Sequence, residues 1–195
     1  MQYPDARSRL TDYRRQIAAL REQMREVLAE TAPETVSDYT FQRPEGAVTL
    51  AGLFGDRDDL ILIHNMGASC PHCTLWADGY NGLQRHVLER AAFAVTSPDA
   101  PDSQRKLAQA RGWTFPMVSH AGTSFAKDMG FVSAKGGYMP GVSVFRRQDG
   151  AIVRVSDALF SPGDDFCTLW HFFDLLGAGR AREGASGKAP CCSRD

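Results

Sequence analysis

The chain has no run of 18 apolar residues, so no membrane-spanning helix is expected in its 195 residues. The first residues, Met1-Gln2-Tyr3-Pro4-Asp5-Ala6-Arg7, lack the apolar stretch of a secretory signal. An excess of charge of either sign is also missing: 22 basic residues stand against 23 acidic ones, a net charge of −1. That balance gives no reason to expect nucleic acid or an anionic membrane as a partner. Cysteine is scarce and odd in number, with five in all, which argues against a fully paired secreted scaffold. A cytoplasmic location is the expectation, and there structural disulfides are rare.

In such a setting a Cys-x-x-Cys beside a strand–helix pattern points to redox or metal chemistry. The chain has one. Leu60-Ile61-Leu62-Ile63 reads as a strand covered on both faces, and it empties through His64-Asn65-Met66-Gly67-Ala68-Ser69 into Cys70-Pro71-His72-Cys73. Pro71 suits the first turn of a helix, where its missing N–H is no loss. A thiol there meets free backbone N–H groups and the positive end of the helix dipole, which lower its pKa and make it reactive. The pattern predicts that Cys70 is exposed and attacks, that Cys73 is more deeply buried and resolves, and that His72 adds charge near the thiolate when protonated.

Two readings compete with the dithiol. His64, Cys70, His72 and Cys73 offer two nitrogen and two sulfur ligands, a set suited to Zn²⁺ or Cu(I), although no second ligand pair lies at a distance. Alternatively, the two cysteines only pack at a helix start. No cofactor is expected. The partner would be a protein or small-molecule thiol or disulfide.

The rest of the chain supplies the frame. Leu10, Tyr13, Ile17, Leu20, Met24 and Val27 recur at steps of three and four, an apolar seam about three heptads long within a helix over residues 5–30. Packing across the domain and a homodimer through residues 10–27 are both open. Residues 38–50 suggest a short hairpin, and Ala91 to Thr96 a strand. A helix from Cys70 toward Arg90 carries an interruption near Gly79–Gly82, and Ser103 is the expected cap of a helix closed by Gly112. Phe115 to Ser119 is a short strand, and Ser124 to Met129 a helical turn. Gly141 to Val155 forms a hairpin around Asp149-Gly150, followed by a helix over Asp164 to Leu176. The order predicts an α/β domain with a mixed sheet, a C-terminal hairpin and a closing helix. The organisation is a helical extension over 1–35, the domain over 36–177, and a tail over 178–195 that carries Cys191 and Cys192.

Pro140, at the start of the Gly141–Phe145 strand, is the candidate cis-proline facing the dithiol, with Pro116 as its competitor. Trp76 and Trp113 read as core. His120 reads as a surface histidine, and Cys167 with His171 as a buried cysteine beside a half-buried histidine.

Four blocks carry a resemblance: Asp38-Tyr39-Thr40-Phe41 with Val48-Thr49-Leu50, Cys70 to Gly82 (CPHCTLWADGYNG), Gly112-Trp113-Thr114-Phe115-Pro116, and Pro140 to Phe145. Through them the chain resembles a bacterial thioredoxin-like family still labelled a domain of unknown function, over roughly residues 5–177. The resemblance implies a thioredoxin-like three-layer α/β/α sandwich with an N-terminal helical extension, and no established substrate. Members commonly have Ser near the place of His72. Peroxiredoxins share the fold, but their peroxidatic cysteine follows a Thr or Ser three residues back and a Pro seven back. Here those positions are Gly67 and Ile63. A non-catalytic thioredoxin-like binding module is the further alternative.

Overall fold

The computed structural model describes residues 1–176. Gly177 and the whole 178–195 tail, with Cys191 and Cys192, lie outside the described residues. Met1–Glu34 and the residues from Thr35 onward form two compact units. The first is helix α1 (Tyr3–Glu30), begun by Pro4 in its first turn and containing no buried residue. Within its own unit the seam of α1 has no partner element.

In the second unit the elements follow as β1 (Glu34–Val36), β2 (Thr40–Arg43), β3 (Gly46–Thr49), α2 (Leu50–Leu53), β4 (Asp59–His64), α3 (Pro71–Val87), β5 (Ala92–Ser97), α4 (Pro101–Arg111), β6 (Met117–Ser119), α5 (Phe125–Asp128), β7 (Gly141–Gln148), β8 (Ala151–Leu159) and α6 (Thr168–Asp174). The strands form one mixed sheet in the order β1-β8-β7-β4-β5-β6-β2-β3. β4 runs parallel to β5 and antiparallel to β7, so it lies at the centre. Side chains alternate across a strand. Ile61 and Ile63 therefore join α3 and α6 residues such as Trp76, Tyr80 and Trp170 on one face. Leu60 and Leu62 join Phe41, Leu50, Phe125 and Phe131 on the other. Helices on both faces of a mixed sheet make the three-layer sandwich.

The hairpins at 40–49 and 141–159 form as expected. The second turns at Asp149 (φ 52) and Gly150 (φ 79), the paired positive φ that Asp-Gly turns supply. α3 is not interrupted at Gly79 or Gly82. Burial of Trp76, Ala77 and Tyr80 along one face outweighs the roughly 1 kcal/mol that each glycine costs a helix. α4 starts at Pro101, with Ala100 as its cap, so Ser103 lies inside the helix. Gly112 closes it in the left-handed conformation (φ 66). α6 is shorter than its apolar spacing suggests. The Asp164 carboxylate accepts N–H bonds from Ser161 (3.0 Å) and Phe166 (3.0 Å), which holds these residues in a turn ahead of the helix.

Candidate functional site

The loop that leaves β4 is built by polar side chains from two strands. Asn65 Oδ1 accepts the Gly67 N–H at 2.8 Å, and Asp99, just beyond β5, accepts the Ala68 N–H at 2.9 Å. Ser97 Oγ donates to the same Asp99 carboxylate at 2.9 Å. Gly67 has φ +110, and a Cβ there would lie 3.1 Å from Asp99 Oδ1, so the close approach of loop and carboxylate requires glycine. The chain then turns, with the Cys70 N–H donating to the Gly67 carbonyl at 3.0 Å, and enters α3.

Cys70 is the N-cap of α3, with Pro71 in the first turn. Its sulfur accepts the Cys73 N–H at 3.2 Å. The Cys73 sulfur in turn accepts the Met66 N–H at 3.4 Å. Both sulfurs therefore receive a backbone donor, and Cys70 occupies the position where helix N–H groups stabilise a thiolate.

Burial differs from the expectation for Cys70. It is 4% exposed and Cys73 is 3% exposed, so the two thiols are covered alike. Residues from distant segments join the two thiols in one buried cluster. His72 is buried between Trp76 and Trp170, its ring 6.2 and 6.0 Å from theirs, and Phe160 lies 5.4 Å from Trp76. Spacing near the dithiol carries no information about Trp170, which α6 brings in from nearly 100 residues away.

Pro140 shares a small cavity with Cys73. It lines this space of about 10 Å³ together with Ile63, Asn65, Trp76 and Tyr80, room for about one water. The bond before it is not cis, however, because no described peptide bond is. The Met139 N–H donates to the Phe131 carbonyl and the Phe160 N–H to the Pro140 carbonyl, each at 2.9 Å. These bonds hold the residues flanking that bond in the extended conformation that leads into β7.

The four-ligand metal set does not assemble. The His64 backbone borders the same region, but its imidazole lies on the other face of the sheet. It stacks on Phe131 with ring centroids 3.7 Å apart, and its Nε2 is 2.9 Å from Ser143 Oγ. Burial, then the positive neighbours His120 and Arg154, hold the His64 imidazole well below the usual histidine range. Among the described residues, no three His, Cys, Asp or Glu side chains are grouped so as to hold a metal ion. His120 is buried rather than at the surface, with Tyr138 edge-on at 5.1 Å.

Asp164 and Tyr80, which spacing alone did not single out, join this region of the fold. Trp76 Nε1 donates to Asp164 Oδ1 at 3.3 Å. Burial raises the Asp164 carboxyl above the ordinary carboxylate range, against the lowering effect of N–H donors from Ser161, Trp76, Phe166 and Cys167. Burial, then Asp164, Cys73 and Cys167, push the Tyr80 hydroxyl up, and that hydroxyl finds no hydrogen-bond partner among the described residues. Cys167 is buried in the same cluster, while His171 is exposed beside Asp165. For Asn65 and Asp99 a signal was present, since both flank glycine- or proline-containing loops at strand ends.

A sandwiched mixed sheet with a Cys-x-x-Cys capping the helix after its central strand defines a thioredoxin-fold protein. Solved structures agree on the fold. Peroxidoxin BcpB from Mycobacterium tuberculosis is 22% identical over 70% of this chain and 88% of its own, with a TM-score of 0.52. A cysteine-to-serine mutant of PrxQ from Xylella fastidiosa is 16% identical over 68% and 89%, with a TM-score of 0.58. Reduced Prx3 from Vibrio vulnificus is 17% identical over 69% and 89%, with a TM-score of 0.54. Residues 4–192 match the family model described as a bacterial protein of unknown function (DUF899), and the chain belongs to that family. A search of curated proteins found no significant match.

Proposed function

We propose that this protein is a thiol–disulfide oxidoreductase working through Cys70 and Cys73. The observation that carries the reading is the Cys70 sulfur, placed as the cap of α3 with the Cys73 N–H directed at it. In the forward direction the Cys70 thiolate attacks one sulfur of a substrate disulfide. That bond breaks, the other substrate sulfur leaves as a thiolate, and a mixed disulfide forms. Cys73, losing its proton, then attacks the Cys70 sulfur, which forms the Cys70–Cys73 disulfide and releases the second substrate thiolate. The substrate is reduced by two electrons and the dithiol oxidised by two. His72, packed against Trp76 and Trp170, shapes the surroundings of the thiolate. Pro140 lines the wall opposite Cys73.

Peptide-resolved alkylation with iodoacetamide near neutral pH tests the nucleophile. Cys70 is expected to react faster than Cys167, and equal rates would sink the assignment. Titration of the pair against glutathione buffers then gives its potential.

The likeness in fold to peroxiredoxins favours one second reading, reduction of a hydroperoxide. There the Cys70 thiolate would attack the peroxide oxygen to give a sulfenic acid and an alcohol or water, and Cys73 would condense with it, releasing water. The site lends this less support. Gly67 has no hydroxyl to offer three residues before Cys70, and its N–H is committed to Asn65. Peroxide consumption by the reduced protein, compared with reduction of a small aromatic disulfide, separates the two chemistries.

A further inference from the structure

Within its own unit, helix α1 is 28 residues long and buries none of them. Its apolar residues nevertheless follow a strict heptad. Leu10, Ile17 and Met24 occupy one core position, and Tyr13, Leu20 and Val27 the other. Tyr3 and Ala6 continue the spacing one heptad earlier. Along the middle of the seam Ile17 is 46%, Leu20 58% and Met24 65% exposed. Isolated helices draw most of their stability from covering such a stripe, and a 3.5-residue repeat is matched by another helix of the same repeat.

Charge selects the partner and its direction. The first half of α1 holds four arginines against two aspartates, and the second half two arginines against three glutamates. Two copies laid head to tail put the basic half of each against the acidic half of the other. The flanking positions sharpen this. In an antiparallel pair with Leu10 opposite Val27, Tyr13 opposite Met24 and Ile17 opposite Leu20, Arg9 faces Glu30 at both ends, Gln16 faces Gln23, and Arg14 faces Arg21. In a parallel pair Arg9 would face Arg14 twice, and Glu30 would have no basic partner across the seam. The antiparallel arrangement offsets its two like-charge contacts (Arg14 with Arg21) with two opposite-charge ones (Arg9 with Glu30); the parallel arrangement has only the repulsion.

We infer that α1 is a dimerisation helix, which pairs with α1 of a second copy of this chain as an antiparallel coiled coil over residues 10–27. The proposal is independent of the dithiol chemistry.

Sedimentation of the full-length chain between 1 and 100 µM tests it, with these concentrations set to span about micromolar affinity. The expected mass is twice the 21.4 kDa of one chain. Leu20→Glu is expected to yield monomer, with the alkylation pattern of Cys70 and Cys73 kept as evidence that the second unit is still folded. Direction is read from charge reversal. Arg9→Glu should weaken the dimer by about tenfold, since it meets Glu30 at both ends, and Arg9→Glu with Glu30→Arg should restore it. Tightening by Arg9→Glu would overturn the antiparallel assignment, because only in a parallel pair does that change create an ion pair with Arg14. A wild-type chain that stays monomeric at the highest concentration, or a dimer indifferent to Leu20→Glu, would overturn the proposal as a whole.

Discussion

The backbone N–H of Cys73 lies 3.2 Å from the sulfur of Cys70, within the first turn of α3. Three residues of helix place one thiol as cap and the other on the residue whose N–H is the donor. Replacement should separate the two roles. Cys70→Ser is expected to abolish reduction of a disulfide substrate. Cys73→Ser should accumulate a mixed disulfide on Cys70 that mass spectrometry detects. A Cys70→Ser protein of undiminished activity would move the chemistry elsewhere.

Trp170 packs against His72 from α6, and both thiols, in the same buried cluster, are nearly inaccessible. Trp170→Ala removes that packing and should raise the alkylation rate of Cys70 by about tenfold or more, with loss of roughly 3 kcal/mol of stability. Cys70 labelling that does not change would mean that access to the thiol runs from another side.

The buried His64 imidazole makes stability depend on pH in a defined direction. It is neutral in the fold, whereas in the unfolded chain it takes up a proton as the pH falls through about 6.5. Below that pH the unfolded state binds more protons than the native one, so stability declines as pH falls toward the depressed native value. Above it the group contributes no slope. The decline should reach about 1.4 kcal/mol per pH unit for such a histidine, and His120, also lowered by burial, adds in the same sense. Thermal unfolding of His64→Gln between pH 7.5 and 5 should show a shallower slope than the wild type. Parallel curves would assign the acid sensitivity to other groups.

Gly141 pairs with His64 across β4 and β7 at a crowded place. A Cβ there would run into the Phe131 ring and the Ala158 carbonyl oxygen. Gly141→Ala should therefore destabilise the second unit by about 1–3 kcal/mol, in contrast to Gly79→Ala, which meets open space on α3 and should stabilise by up to about 1 kcal/mol. Chemical denaturation of the two variants compares them directly.

Where the chemistry depends on a few adjacent residues, it was legible in the sequence. Strand, loop, Cys-x-x-Cys and helix follow one another over about 20 residues. Pro71 and the Asp149-Gly150 turn act through their own dihedral angles, and the alternation of Leu60, Leu62 and His64 against Ile61 and Ile63 assigns strand faces by parity alone. That parity places His64 with Leu60 and Leu62, and the structure shows α3 packed on the opposite face.

The tertiary structure decided what depends on contacts between remote segments. Cys70 and Cys73 share their buried cluster with Trp170 of α6 and with Phe160. The loop geometry comes from Asp99 reaching across from β5, and the trans bond before Pro140 from hydrogen bonds to Phe131 and Phe160. Local spacing determined the succession of strand, loop, Cys-x-x-Cys and helix, and which strand residues share a face. Burial and access were decided by long-range packing, because a side chain's solvent exposure is set by whichever segments fold over it.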